Sequence, residues 1–501
     1  MNFPYAGRRG GNCLIRRGAC CTSQTFTTTL LAAAIVLPVC GQIGGGASGP
    51  PTVQAQAAPT IPNLSLSQQQ GSVASGNAAG EPLTLTLRDA IARGLRANLG
   101  ILVRDSGSAT ARAARVKALS ALLPSVTGSA SENAQQTNLQ ALGIKIPFAP
   151  KIVGPFGYTD VRANASATLF DWTAYRNLKT AEAGMQAAAL SRKDAEDLLV
   201  QAVTNAYFLA VADTAQIQSL KAQIEVARAL HVQALDQQAA GTGMGLDATR
   251  ALVQLKTQQQ LLLAQTDQFE KDKLTLARLT GIPLGQSLVL VDAVTEPRLD
   301  LPSPEAALQT ALASRADYKS QEAQVLAARL AVDAAKAERY PTLSLSANYG
   351  AIGPNLSNSH GTFTVTGSVK FNIFDGGRIQ SDILQAEAAL QQRENELADL
   401  KGQVDYQIRT ALLDLQSIQQ QVEVAKANVD LANQSLGQSR ERFAAGVTNT
   451  VEVVQAQQQV TSAEQALIAA KYNFSVARSS LSRALGGSYT TADRKQGEEK
   501  K

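Results

Sequence analysis

Two short stretches of this chain alternate apolar and polar residues one for one, and most of the rest repeats apolar residues at helical spacing. Phe363, Val365, Val369, Phe371 and Ile373 alternate with Thr364, Thr366, Ser368, Lys370 and Asn372. Period two predicts a strand with one apolar and one polar face. Its partner is Leu343, Leu345, Ala347 and Tyr349 set against Ser344, Ser346 and Asn348, and the connection holds Gly350, Gly353, Pro354 and Asn355. The pair is predicted to be a long hairpin. A fainter version has Val161, Ala163, Ala165, Ala167 and Leu169 against Arg162, Asn164, Ser166 and Thr168, after a loop through Pro147, Pro150 and Pro155.

Each strand pair is preceded by an amphipathic helix, predicted over Leu87 to Leu122 and over Pro304 to Arg339. Thr86 with Asp89, and Ser303 before Pro304, are start signals, and Pro124 and Pro341 end the helices. No proline occurs between Pro155 and Pro283 or after Pro354. Trp172 to Gln238 therefore reads as one near-continuous helix, roughly 100 Å long at the helical rise, with Gly184 its only glycine. Gly241, Gly243 and Gly245 turn the chain, and a returning helix spans Asp247 to Leu279. The second half repeats this with Arg378 to Phe443, a turn at Gly446, and Val451 to Leu485. Phe170-Asp171 and Phe374-Asp375, Ala239-Ala240-Gly241 and Ala444-Ala445-Gly446, Asp247 and Glu452, and Gly281 and Gly486 all match at one offset of about 205 residues, the mark of an internal two-fold repeat.

Strands of this length suit a tilted membrane β-strand or a soluble sandwich hairpin equally. The helices decide, since compact domains rarely hold one so long. Four strands cannot close a barrel, and an open edge in lipid leaves backbone groups without partners, so copies of the chain must pool their strands. The fold class is an α+β membrane protein with long antiparallel helical hairpins.

Composition narrows the chemistry. The 501 residues are 5% aromatic and 17% charged, a mix for long helices with small apolar faces and not for a thick core. Arg8, Arg9, Arg16 and Arg17 lie in a leader; removing those four from 46 basic residues against 41 acidic leaves an excess of one, so no nucleic-acid footprint is expected. Cys13, Cys20, Cys21 and Cys40 all fall in the first forty residues, and His231 and His360, the only histidines, are read as solvated. A cysteine nucleophile and a Cys- or His-ligated metal are excluded from the rest, as is any cofactor site. There is no phosphate-binding glycine loop and no nucleophile elbow, so the chain is not an enzyme. The arginines and the apolar run from Leu30 to Val39 read as a signal over residues 1–40, with cleavage there or further on, where Ala55-Gln56-Ala57 has the small-residue pattern. Cys40 resembles a lipidation acceptor with Val39 where a small residue is expected; the alternative is a cysteine inside a discarded signal. Residues 41–82 are predicted to be a flexible linker, and 488–501 a disordered tail.

The order of elements, Phe374-Asp375-Gly376-Gly377-Arg378, the weaker Phe170-Asp171-Trp172, Phe443-Ala444-Ala445-Gly446-Val447, Glu452-Val453-Val454-Gln455-Ala456 and Pro341 together resemble the TolC-type outer-membrane efflux proteins. The resemblance covers about Leu83 to Gly487. It implies repeat one over 83–285, an equatorial connector over 286–302 containing Leu288 to Val291, Pro297 and Pro302, and repeat two over 303–487. It further implies a homotrimer with a shared 12-stranded β-barrel in outer-membrane lipid and a periplasmic α-barrel, fed by an inner-membrane transporter through a periplasmic adaptor. Phe363, Val365, Val369, Phe371 and Ile373 become the lipid-facing strand. Asp247 and Glu452 match acids that line or lock the periplasmic entrance, with Glu452 in threefold copy a cation-favouring ring; the plainer reading is carboxylates stabilising helix N-termini. Gln455 stands where the family has a second acid. Phe443 and Thr448 stand where an aromatic and an arginine hold the closed tip, so that lock is absent or rewired. Gly241, Gly245 and Gly446 serve as turns or touch the adaptor. The competing class is a noncatalytic periplasmic adaptor or coiled-coil scaffold.

Overall fold

The structure is a computed structural model that describes residues 71–74, 81–141, 143, 150–292 and 301–487. The signal region with Cys40, most of the linker, Pro147, Pro297 and the tail lie outside the described residues. A short strand, β1 (Leu83–Leu85), leads into α1 (Leu87–Ala97) and α2 (Leu99–Ser120), then β2 (Ser125–Asn138), β3 (Ile152–Phe170), α3 (Trp172–Ala239) and α4 (Gly245–Thr280). After β4 (Leu288–Leu290) come α5 (Pro304–Ser314), α6 (Ala316–Ala337), β5 (Thr342–Gly353), β6 (His360–Lys370), α7 (Arg378–Ala444) and α8 (Thr450–Ala484).

Both leading helices, expected to be continuous, are broken. Asn98 is extended, with φ −70° and ψ 130°, and its Oδ1 accepts from Gly100 N at 2.8 Å, capping a new helix where the old one would have continued. Arg315 takes nearly the same conformation, φ −61° and ψ 128°, and is 2% exposed. Its guanidinium forks onto Asp317 at 3.0 and 2.6 Å and donates to Gln407 Oε1 at 2.9 Å. Each break receives the end of a returning helix. Gly281 and Gly486 both sit at φ +72°, in the left-handed region. A Cβ at Gly281 would collide with the Cβ of Ala97, and one at Gly486 would lie 2.6 Å from the backbone N of Arg315.

Part of the expected linker is docked: Ser72 Oγ donates to Leu279 O at 2.6 Å and Val73 N to Ala97 O at 2.9 Å. β1 pairs in parallel with β4, Leu83 opposite Leu288, so the first residues of repeat one and the connector make a small sheet that the sequence pattern is too short to announce. Tyr207 Oη lies 3.0 Å from both Leu85 O and Asp292 Oδ2, and Asp292 also accepts from Leu87 N at 2.7 Å. Leu85, Ile91, Val203, Leu276, Leu279 and Tyr472 close the core around this ring.

The main sheet is antiparallel in the order β2-β3-β5-β6. Its register puts Ser125, Ser166, Ser346 and Thr366 in one row and Thr127, Asn164, Asn348 and Thr364 in the next, all on one face. Arg162 bridges Asp160 and Asn348 there, each at 2.8 Å, and Ser125 meets Ser166 at 2.8 Å. The opposite face carries Val161, Ala163, Ala165, Ala347, Tyr349, Phe363 and Val365. The alternation in the sequence therefore reads the faces correctly. It overshoots the end: Lys370 pairs with Thr342, the first residue after Pro341, which has no N–H to extend the ladder. Phe371 and Ile373 lie beyond the strand, exposed, on the approach to α7. β2, almost all small and polar, carries little pattern to detect.

Asp171 and Asp375 explain the repeated Phe-Asp pair. Asp171 Oδ1 accepts from Ala174 N at 2.9 Å and starts α3; Asp375 accepts from Gly377 N at 3.0 Å and Ile379 N at 2.9 Å and starts α7. Toward its N-terminal end α3 packs on α2 and α6, as Arg115 with Glu182 and Ser320 Oγ with Ala187 O show. Toward its C-terminal end it packs on α4 and α8. α7 lies beyond α6 and α8, so each layer is four helices wide and ends in the free flank of α7 on one side and of α2 or α4 on the other. One stretch of α3 is long and apolar enough to cross a bilayer, yet more than half of it is buried within the protein, which identifies it as a core helix.

Candidate functional site

The two helix tips hold the residues singled out from the sequence. α3 ends through Gly241 at φ +71°, and Thr242 N and Gly243 N both reach Gln237 O, at 3.0 and 2.9 Å. α7 ends in the same manner through Gly446 at φ +70°, with Val447 N donating to Arg442 O at 3.0 Å. These bonds satisfy the last carbonyls of each helix, so Gly241 and Gly446 are turn residues in both tips. Gly245 is the first residue of α4 and not part of the turn.

Asp247 sits in the first turn of α4, half-buried, 3.7 Å from Arg250 one turn on. Glu452 occupies the corresponding turn of α8 and is more heavily engaged. Arg442 Nη1 donates to its Oε1 at 2.9 Å, Ser439 Oγ lies 3.4 Å from the same oxygen, and Thr448 Oγ1 donates to Oε2. Every one of these donors belongs to the α7–α8 hairpin. Among the described residues Asp247 and Glu452 are not bonded to each other. Gln455 is exposed one turn further along α8.

Phe443, in the last turn of α7, does not face open space at the tip. It is 4% exposed, packed with Leu436, Val453, Ala456 and Val460 against Leu230, Ala234, Ala248 and Ala251 of the other hairpin. On its own helix it shares a face with Leu436 and Ala432, and with the cross-hairpin apolar side chains these hold the two hairpins together. His231 was read as solvated; it is half-buried and its Nδ1 lies 3.1 Å from Ala248 O, tying α3 to α4. Arg442 escaped the sequence reading, because it lies ten residues before Glu452 and only the turn at Gly446 brings the two opposite. Exposed apolar residues Met244, Leu246 and Val447 ring the tips.

Higher up, α3 and α8 are pinned by Gln223, whose Nε2 donates to Glu464 at 2.8 Å and whose backbone O accepts from Gln457 at 3.1 Å. Asp213, facing Asp272 and bonded to Gln265 at 2.8 Å, is pushed up to about 7, first by burial and then by the Asp272 carboxyl. Among the described residues no cluster of His, Cys, Asp or Glu has the make-up of a metal site.

The family model described as outer membrane efflux protein matches residues 100–282 and 307–487. A probable efflux pump outer membrane protein, TtgC of Pseudomonas putida, is 25% identical over 316 residues, 60% of this chain and 62% of that protein. The pyoverdine export outer membrane protein OpmQ of the same species is 25% identical over 345 residues, 66% of this chain and 71% of its own. The chain thus spans about 62% of the length of the first of these relatives. Among solved structures, the CmeC outer membrane channel of Campylobacter jejuni superposes with a TM-score of 0.72 at 18% identity, covering 88% of this chain and 98% of that one. VceC of Vibrio cholerae gives 0.70 at 19%, covering 80% and 96%. At these identities the structural likeness is one of fold.

Proposed function

Because the chain belongs to the outer membrane efflux protein family, we propose that it is the outer-membrane exit duct of a tripartite efflux or type I secretion system. In this reading it passes substrate without chemistry from a periplasmic entrance to the exterior, and the iris at its helix tips opens and closes the path.

The observation that carries this reading is the four-stranded sheet, polar on one face and apolar on the other, with β2 and β6 each leaving one edge unpaired. Lipid suits the apolar face, water the polar one, and the edges call for further strands. Three copies of a four-stranded sheet supply twelve strands, β2 of one copy against β6 of the next. The helical layers have matching free flanks: exposed Leu384, Leu413 and Leu431 on α7, and exposed Leu252, Leu261 and Leu263 on α4. A homotrimer closes both rings at once, with the periplasmic helices as the second barrel. The run of helix pair, strand pair and long hairpin occurs twice along the chain, and we read it as one duplicated unit. Met244, Leu246 and Val447 at the tips offer an apolar rim to a periplasmic adaptor that joins the duct to an inner-membrane transporter. A periplasmic adaptor or coiled-coil scaffold would have no use for a two-faced sheet with open edges.

The test is the mass of the purified mature protein in detergent, followed by conductance in planar bilayers. The expected result is a species about three times the protomer mass that gives discrete current steps. A soluble monomer without conductance would overturn the reading and return the chain to the scaffold class.

A further inference from the structure

We infer that Arg442 sets the charge selectivity of the duct entrance by neutralising Glu452 from within the same hairpin; this rests on the reading of the tips as the entrance of a channel. Glu452 alone, in several copies around a bore, would enrich cations at the mouth. The structure shows that it does not stand alone. Arg442 Nη1 lies 2.9 Å from Oε1, while Thr448 and Ser439 hydroxyls take up further lone pairs of the carboxylate. Both charged side chains remain in contact with water, 56% and 34% exposed, so neither is a core residue retained for packing.

The pairing is local, across the turn at Gly446, and so repeats in every copy of the chain whatever the arrangement of the copies. Each acid brought to the rim by α8 brings an arginine from α7 with it. The first tip follows the same plan in looser form, with Asp247 3.7 Å from Arg250. Around the second tip Arg440 and Glu441 add one charge of each sign. The second tip is therefore close to electroneutral, and its share in selectivity is poised: removing either partner exposes the other; the first tip carries Asp236 and Asp247 against Arg250. Arg442 is a specificity-determining residue in this sense. A plain helix-dipole role for Glu452 would give Arg442 no part in selectivity.

The experiment is the reversal potential of single channels under a potassium chloride gradient for wild type, Arg442→Gln, Glu452→Gln, the double variant and Arg442→Lys. Arg442→Gln is expected to raise the cation-to-anion permeability ratio several-fold and Glu452→Gln to lower it several-fold. The double variant and Arg442→Lys are expected to return to the wild-type ratio. A conducting wild type whose ratio is unmoved by Arg442→Gln, or two single variants that shift it in the same direction, overturns the inference and leaves the duct reading intact. A wild type of trimeric mass that never conducts removes the duct reading and the inference with it.

Discussion

The breaks at Asn98 and at Arg315 bend the chain by the same backbone conformation, and each seats a left-handed glycine from a returning helix. Their chemistry shares a serine hydroxyl on the returning helix and otherwise differs. At the first break a short amide caps the next helix and Ser72 binds the returning helix at Leu279 O. At the second a buried guanidinium holds Asp317, Gln407 and the carbonyl of Ala484, and Ser314 binds the returning helix at Leu485 O. A second arginine, Arg483, joins Asp317 to Asp194 beside it. Geometry at such a junction is thus dictated by topology, while the means of holding it is free to differ. The two solutions differ in what remains after damage. Loss of the buried Asn98 cap leaves one N–H without its partner; loss of the buried Arg315 leaves Asp317 with Arg483 alone as counter-charge.

That contrast is broken most severely by Arg315→Ala, which leaves the half-buried Asp317 to Arg483 at 3.7 Å and is expected to cost about 3–5 kcal/mol, read as lost helical circular dichroism on heating in detergent. A loss under about 1 kcal/mol would mean that Arg483 carries the junction alone. Next come the glycines. Gly281→Ala and Gly486→Ala each place a side chain in the left-handed region at about 1–3 kcal/mol of strain. Their steric obstacles differ: a methyl of Ala97 for Gly281, the Ser314 hydroxyl together with the backbone of Arg315 for Gly486, where the backbone stays whatever is trimmed. Ala97→Gly should therefore rescue part of the Gly281→Ala loss in the same melts, and no side-chain trimming should rescue Gly486→Ala. Asn98→Ala is a smaller loss, about 1 kcal/mol, as for other helix caps.

The subtlest difference is in pH. Beside the first break, the Tyr207 phenol is pushed up from 10.0 to about 12, first by burial and with help from the Asp292 carboxylate, and burial pushes Tyr472 in the same core up to about 12 as well. The folded chain keeps a proton that the unfolded chain gives up in that window, so stability is full below pH 10 and declines from about 10 to 12. At the second break, burial pushes the Asp317 carboxyl up, but the Arg315 fork and Arg483 outweigh it and hold it below its ordinary value of 3.8. Its contribution is full above pH 3.8 and declines as pH falls further; Asp194, raised by burial, opposes this and softens the acid limb. Hydrogen exchange resolved along the chain should then show α1 and α2 loosening first in alkali and α5 and α6 first in acid, and Tyr207→Phe should reduce the alkaline limb, Tyr472 carrying the remainder.

The sequence carried the long elements well because their signals are long. Over 68 residues α3 has no proline, and over the β5–β6 hairpin the side-chain period never slips. Where it misled, the governing interactions were remote or short. Nothing near Asn98 or Arg315 in the chain distinguishes them from helix interior, because the partners that reward the break, Gly281 with Leu279 and Gly486 with Gln407, lie far along the sequence. The three-residue β1 and β4 are below the length at which alternation means anything. Phe371 and Ile373 kept the strand period after the strand had stopped, since Pro341, on the other chain segment, ends the ladder. At the tips Gly241, Gly446, Asp247 and Glu452 were legible as turn and helix-start residues. Arg442 was not, since a residue's partner across a turn is fixed by the turn and not by its own surroundings. Phe443 was placed at the entrance by resemblance alone, and its apolar neighbours bury its ring at the tip.

The open edges of the sheet also bear on how a population of copies behaves. In the proposed ring each copy brings two dissimilar rims, one from β2 and one from β6, and the ring closes only when every rim is intact. A copy damaged at one rim still seats by the other, so it is incorporated before its fault is felt. Defective copies are then poisons and not mere absentees, and a minor mutant expressed beside the normal chain should silence more ducts than its own share.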